Sequence, residues 1–164
     1  MKHMIQVLSR RRIAARAAAV VLVALAAAAI AETHDRPRVA PTPLYQQECG
    51  ACHLAYPPQL LPAPSWQRLM AGLPRHFGTD ASLDGATTRT LAAWLTDNAG
   101  RSRRNAEAPP EDRITRAAWF AREHRELAAS TWKLPAVGSA ANCAACHPAA
   151  GQGEFDEHAV RIPR

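Results

Sequence analysis

Cys49-Gly50-Ala51-Cys52-His53 and Cys143-Ala144-Ala145-Cys146-His147 between them use all four cysteines of the 164-residue chain. Cys-x-x-Cys-His is the pattern of covalent haem c attachment. The spacing follows from the chemistry. Two thiols must reach the two vinyl groups on one edge of a porphyrin, while the next residue, His, swings under the ring to bind iron. On a helical turn the first, fourth and fifth positions share a face. Two disulfides, a four-cysteine zinc site and a thioredoxin-like redox pair are the competing readings. None of them requires His directly after the second Cys of both pairs.

Each pentad supplies one axial ligand, His53 or His147, and a second protein ligand on the iron separates electron transfer from ligand chemistry. The candidates are His34, His76, His124, His158 and Met70. His76 lies 23 residues after His53, and His124 lies 23 residues before His147, a mirrored spacing that suits a segment folding back across each porphyrin. Met70 rivals His76 for the first haem, although its place in Trp66-Gln67-Arg68-Leu69-Met70 suits a core residue. His158, eleven residues after His147, rivals His124 for the second. Two histidines on each iron give low-spin, six-coordinate centres with potentials lower than those of His/Met cytochromes.

The elements that must position these residues are helical, and no run alternates apolar and polar residues as a strand does. Thr42 and Pro43 open a short helix that ends on the first pentad. Four prolines between Pro57 and Pro64 forbid helix or central strand, leaving apolar side chains to cover a haem face. Ser65 caps a helix carrying Trp66, Leu69 and Met70 and stopped at Gly72; His76 follows in a loop. A longer helix runs from Leu83 or Asp84 to about Asn98, with Gly100 as its stop. Residues 99–112 are charged, hold almost nothing to bury, and read as a link. Beyond it, a helix of about a dozen residues from Thr115 carries Trp119 and His124. Ser139 caps the helix of the second pentad, and the tail from Ala149 lies against the body.

The chain opens on an export signal: Lys2, Arg10, Arg11, Arg12 and Arg16, then the apolar run 17–30, with cleavage expected after Ala31. The run is shorter than the ~20 apolar residues of a spanning helix, so no membrane span remains after cleavage and the destination is the periplasm. The leader holds five of the twenty Lys and Arg and none of the fourteen Asp and Glu, so most of the formal charge of +6 leaves with it. A near-neutral mature chain has no electrostatic case for nucleic acid, whose binding relies on many cations. The expected organisation is therefore residues 1–31 as signal peptide, 32–100 as an N-terminal haem domain, 101–112 as linker and 113–164 as a C-terminal haem domain.

Several longer stretches also resemble the exported bacterial dihaem cytochrome c family. They are the first pentad with Leu54-Ala55-Tyr56-Pro57-Pro58 and Leu60-Leu61-Pro62, Leu69-Met70-Ala71-Gly72-Leu73 with His76-Phe77-Gly78, residues 119–126, residues 132–137, and Asn142 with the second pentad. The resemblance implies a mostly α fold of two small haem-centred domains, the first similar to class I cytochromes c and the second irregular. It implies two covalently bound haem c groups with bis-histidine ligation. It also implies a small oxygen-binding monohaem cytochrome and a membrane b-type cytochrome as partners. A periplasmic electron carrier is the leading function. A dihaem peroxidase-like enzyme or a gas-binding haem sensor, each needing one open iron site, is the alternative.

Units of about 65 residues seldom hold more than a few kcal/mol from side chains alone, so porphyrin and thioether links must supply much of the core. With Cys49, Cys52, Cys143 and Cys146 all replaced by Ser, the exported chain is expected to be largely unfolded by circular dichroism. A cooperative thermal transition in that variant would contradict the expectation.

Overall fold

Four short α-helices joined by single 3₁₀ turns make up the architecture of residues 39–164, which the computed structural model describes. The signal segment and His34 lie outside the described residues. No described helix is long and apolar enough to cross a membrane. The fold is helical, and the single β-bridge among the described residues joins His76 to Thr79.

Helix α1 is Pro43–Cys49; the Thr42 hydroxyl accepts the Tyr45 N–H at 3.2 Å, and Pro43 fills the first helical position. Helix α2, Ala63–Ala71, starts three residues earlier than expected: Pro62 stands at its N-cap and Ser65 lies buried within the first turn. The reason is Pro64, whose fixed φ suits an initial turn and whose missing N–H is not needed there. Helix α3, Gly85–Asp97, is capped by Asp84, whose carboxylate accepts the N–H groups of Ala86 and Thr87 at 2.9 and 3.0 Å.

Helices α2 and α3 pack together, and their apolar faces join Tyr45 of α1 in one buried cluster of Leu61, Trp66, Met70, Leu73, Leu91, Leu95 and Ala99. The polar ends of its aromatics are satisfied: Trp66 Nε1 donates to the Pro58 carbonyl and the Tyr45 hydroxyl to the Tyr56 carbonyl, both at 2.7 Å. The proline-rich stretch thus serves as an acceptor for two core side chains, and it makes a 3₁₀ turn at Pro58–Leu60.

The expected dozen-residue helix is broken. A 3₁₀ turn, Ile114–Arg116, precedes a one-and-a-half-turn helix α4, Ala118–Glu123, because Ala117 takes an extended conformation between them (φ −67°, ψ 138°). Helical periodicity survives such a break since Ala117, Trp119 and Phe120 still reach the second buried cluster, with Leu60. Tyr56 and Ile114 pack against both clusters, and residues 39–164 form one compact unit.

The charged stretch 99–112 is also more embedded than its composition suggests. Ala99 and Asn105 are buried, and Asn105 Nδ2 donates to the Gln59 carbonyl at 3.1 Å. α3 ends at Asp97 with Asn98 as its C-cap, in line with the expected end at about Asn98, so the helix has stopped before Gly100 is reached. Gly100 instead allows close chain crossing: its N–H donates to the Leu61 carbonyl at 2.8 Å, and a Cβ there would overlap the Asn105 side-chain amide and the Gln59 carbonyl. Gly100→Ala is therefore expected to cost about 1–3 kcal/mol, the range of overpacked interiors. A urea midpoint unchanged from wild type, at equal slope, would contradict this.

Candidate functional site: two facing imidazole pairs

The first pentad begins on the last residue of α1, Cys49, and turns sharply after it, leaving Cys52 and His53 exposed. The His53 Nδ1 lies 2.7 Å from the Leu54 carbonyl. A carbonyl can only accept, so Nδ1 carries the proton and Nε2 keeps the lone pair a metal needs. The ring stacks on Tyr56, with centroids 5.1 Å apart and planes at 23°. The His53 ring also stands opposite His76, with centroids 6.1 Å apart and planes at 22°. His76 follows the 3₁₀ turn Leu73–Arg75, and its backbone N–H donates to the Leu73 carbonyl at 3.2 Å. Its Nδ1 is buried and has no partner.

The second pentad sits on a 3₁₀ turn, Cys143–Ala145, rather than on the helix expected from Ser139. The Ser139 hydroxyl caps a tighter local turn by accepting the Ala141 N–H at 3.1 Å. The Cys143 carbonyl accepts from both Cys146 (3.2 Å) and His147 (2.8 Å), which closes the pentad on itself. The tail covers it as expected: the Arg161 N–H donates to the Cys146 carbonyl at 2.8 Å, and Phe155 lies 5.2 Å from the His147 ring. Across from His147 stands His124, the C-cap of α4, with centroids 6.3 Å apart and planes at 78°. His124 Nδ1 lies 2.9 Å from the Phe120 carbonyl, and its ring stacks on Phe120 at 4.0 Å. Trp132 closes the side of this group, 5.7 Å from His124.

The remaining ligand candidates stand apart from these pairs. Met70 is buried in the apolar cluster. The side chain of His158 is 89% exposed, with Glu157 at 3.9 Å.

The electrostatics favour neutral imidazoles. Burial, then the facing His53 and Arg113, pushes His76 below the usual histidine value; burial, then His124, does the same for His147. The first thiol of each pentad is raised instead: Cys49 to about 11 by burial and Glu48, and Cys143 upwards chiefly by burial. A catalytic redox thiol needs the opposite shift. All four cysteines are free.

The distances do fit haem iron. Metal–imidazole bonds of about 2 Å set two opposed nitrogens about 4 Å apart and their ring centroids about 6 Å apart. A cavity of about 530 Å³ opens between the pentads, lined by Cys52, His53 and Tyr56 on one side and by Ala141, Asn142 and Ala144 on the other. Tyr56, whose role composition did not reveal, joins them: its hydroxyl donates to the Ala141 carbonyl at 2.7 Å. The available signal was an aromatic three residues after the pentad histidine.

A helical chain with two Cys-x-x-Cys-His turns, each histidine facing a second imidazole, is a c-type cytochrome with two haem sites. Residues 45–155 match the family described as dihaem cytochrome c. The chain belongs to that family, and its two pentads are present for the two covalently bound haem c groups the family carries. Among solved structures, a dihaem cytochrome c from Shewanella baltica OS155 is 38% identical, with a TM-score of 0.66 over 76% of this chain and 95% of that one. The crystal structure of DHC from Rhodobacter sphaeroides is 45% identical, with a TM-score of 0.62 over 71% of this chain and 99% of that one. No curated protein sequence gives a significant match.

Burial raises the Tyr56 phenol to about 12, with nearby Cys143 a smaller cause. An acid whose pKa is higher folded than unfolded (about 10) contributes stability that is fully present below about pH 10 and is lost as pH rises through the folded value. Tyr56→Phe is expected to cost about 1 kcal/mol at neutral pH and to flatten part of the alkaline loss of stability. Tyr45, also raised by burial, supplies the remainder. Denaturation midpoints from pH 8 to 12 check both; identical curves for the two proteins would refute them.

Proposed function

We propose that this chain is a periplasmic electron carrier in which His53 and His76 hold one haem iron and His147 and His124 hold the other. The haems are attached through Cys49 and Cys52 and through Cys143 and Cys146. The observation that carries the reading is the pair of ring separations, 6.1 and 6.3 Å, each near the span one iron requires. When bound, each haem supplies one-electron exchange between ferric and ferrous iron.

The protein's own groups keep that exchange simple. Two imidazoles per iron leave no vacant coordination position, so oxygen, peroxide or a gas could enter only where an imidazole first lets go, which distinguishes a carrier from a peroxidase or a sensor. The Leu54 and Phe120 carbonyls, by accepting Nδ1 protons, fix the tautomer and raise the basicity of His53 and His124. More basic ligands favour the ferric state and low potentials. Stacking of His53 on Tyr56 and of His124 on Phe120 holds the rings still, so little rearranges when an electron arrives. Electrons exchange with other redox proteins; the partners we propose are a small oxygen-binding monohaem cytochrome c and a membrane b-type cytochrome.

His124→Ala should convert one haem to high spin and let the reduced protein bind carbon monoxide, whereas His158→Ala should leave both haems low-spin. If His124→Ala leaves both irons closed, the assignment at the second haem is wrong. The ring planes give a further test. Near-parallel imidazoles (22°) split the iron π orbitals, whereas near-perpendicular ones (78°) leave them almost degenerate. The ferric protein is therefore expected to give two low-spin paramagnetic resonance signals, one rhombic and one strongly axial with a large maximal g value. Two superimposable rhombic signals would contradict the second pair.

A further inference from the structure

Three non-glycine residues among those described have φ in the left-handed region: Phe77 (50°), Glu111 (56°) and Asp112 (55°). Such conformations are uncommon for bulky L residues and persist where the surroundings over-determine them. All three lie in two short segments that meet beside His76. One is the loop from His76 to Gly78. The other is the turn Pro110–Asp112 with the following Arg113, at the end of the charged stretch.

The second segment is anchored to α2, because Asp112 accepts two hydrogen bonds from Arg68, at 2.9 and 2.6 Å. Glu111 takes the guanidinium groups of Arg113 and Arg116 at 3.2 and 2.6 Å. From this base Arg113 extends over the face of Phe77, 4.2 Å from the ring centroid. Phe77 in turn lies against the His76 imidazole, with centroids 4.8 Å apart and planes at 58°. Phe77 is 46% exposed, so burial alone does not fix it.

His76 needs such support more than its three counterparts do. His53 and His147 each follow a cysteine that is to be tethered, and His53 and His124 each bond a carbonyl through Nδ1. His76 has neither a tethered neighbour nor a carbonyl partner, and its Nδ1, like that of His147, is buried without a partner. We propose that Arg113, acting through Phe77, is the positioning residue that keeps the His76 imidazole on the first iron, the segment 110–113 serving as a strap across the loop. The inference rests on the reading of His76 as an iron ligand.

Carbon monoxide binding by the reduced full-length holoprotein tests the strap, with His76→Ala as reference. His76→Ala should open one haem completely. Arg113→Gln should keep both haems low-spin at rest but bind carbon monoxide at that same single haem, roughly 3- to 30-fold faster than wild type, the span expected for a lost cation–π contact. Arg113→Lys, which can keep a cation over the ring, should bind more slowly than Arg113→Gln. Phe77→Leu, a partly exposed site, should reproduce the Arg113→Gln effect by removing the other partner. Wild-type rates in both Arg113→Gln and Phe77→Leu, with His76→Ala open, would overturn the strap and leave His76 as the ligand. Two closed irons in His76→Ala would overturn the ligand reading, and the strap with it.

Discussion

An iron held between two imidazoles tolerates very little error in where they stand, and on the proposed ligation this constraint organises the rest of the chain. Each pentad histidine then needs a second ring at a fixed separation, and the structure brings one from a distant stretch of sequence to each. In both pairs one ring has its tautomer set by a backbone carbonyl, and the other is drawn towards the neutral form chiefly by burial. The two mechanisms differ physically but have the same result, a free lone pair. Helices α1 and α4 each end where a ring of one pair is delivered: α1 on the cysteine that opens the first pentad, α4 on His124 itself.

The two halves solve the problem with unequal resources. The front has a side-chain core from α1, α2 and α3, including two aromatics whose polar atoms are satisfied. The back has Ala117, Trp119 and Phe120 with Leu60 borrowed from the front, and mostly single 3₁₀ turns. Three large side chains contribute about 1.5–3 kcal/mol each, against a backbone ordering cost of about 1–2 kcal/mol for every residue fixed. The back half therefore has less side-chain core of its own to draw on. Phe120, Trp132 and Phe155 gather their rings around His124 and His147.

Features governed by neighbours in sequence were legible from residues alone. The pentads stand out by their spacing, Thr42-Pro43 opens its helix as expected, and α3 follows Asp84; His76 and His124 were candidates beside Met70 and His158, and the structure stands each of the two opposite a pentad histidine. What escaped depends on contacts between distant segments. The break at Ala117 leaves the apolar pattern intact, so periodicity cannot reveal it. Asn105 looks like a solvated polar residue until the Gln59 carbonyl is beside it, and Gly100 like a helix stop until the crossing at Leu61 is seen. Arg113 reads as one more surface cation because nothing local marks it as the roof over Phe77.

The run of hydroxyl bonds from Tyr45 to the Tyr56 carbonyl and from Tyr56 to the Ala141 carbonyl has a direction. Every donor belongs to the front half, and the last acceptor lies two residues before Cys143. A polypeptide delivered amino end first presents Tyr45 and Tyr56 long before Ala141 emerges. The front half thus carries the hydroxyl that moors the stretch just ahead of the second pentad, and that stretch answers only with a carbonyl.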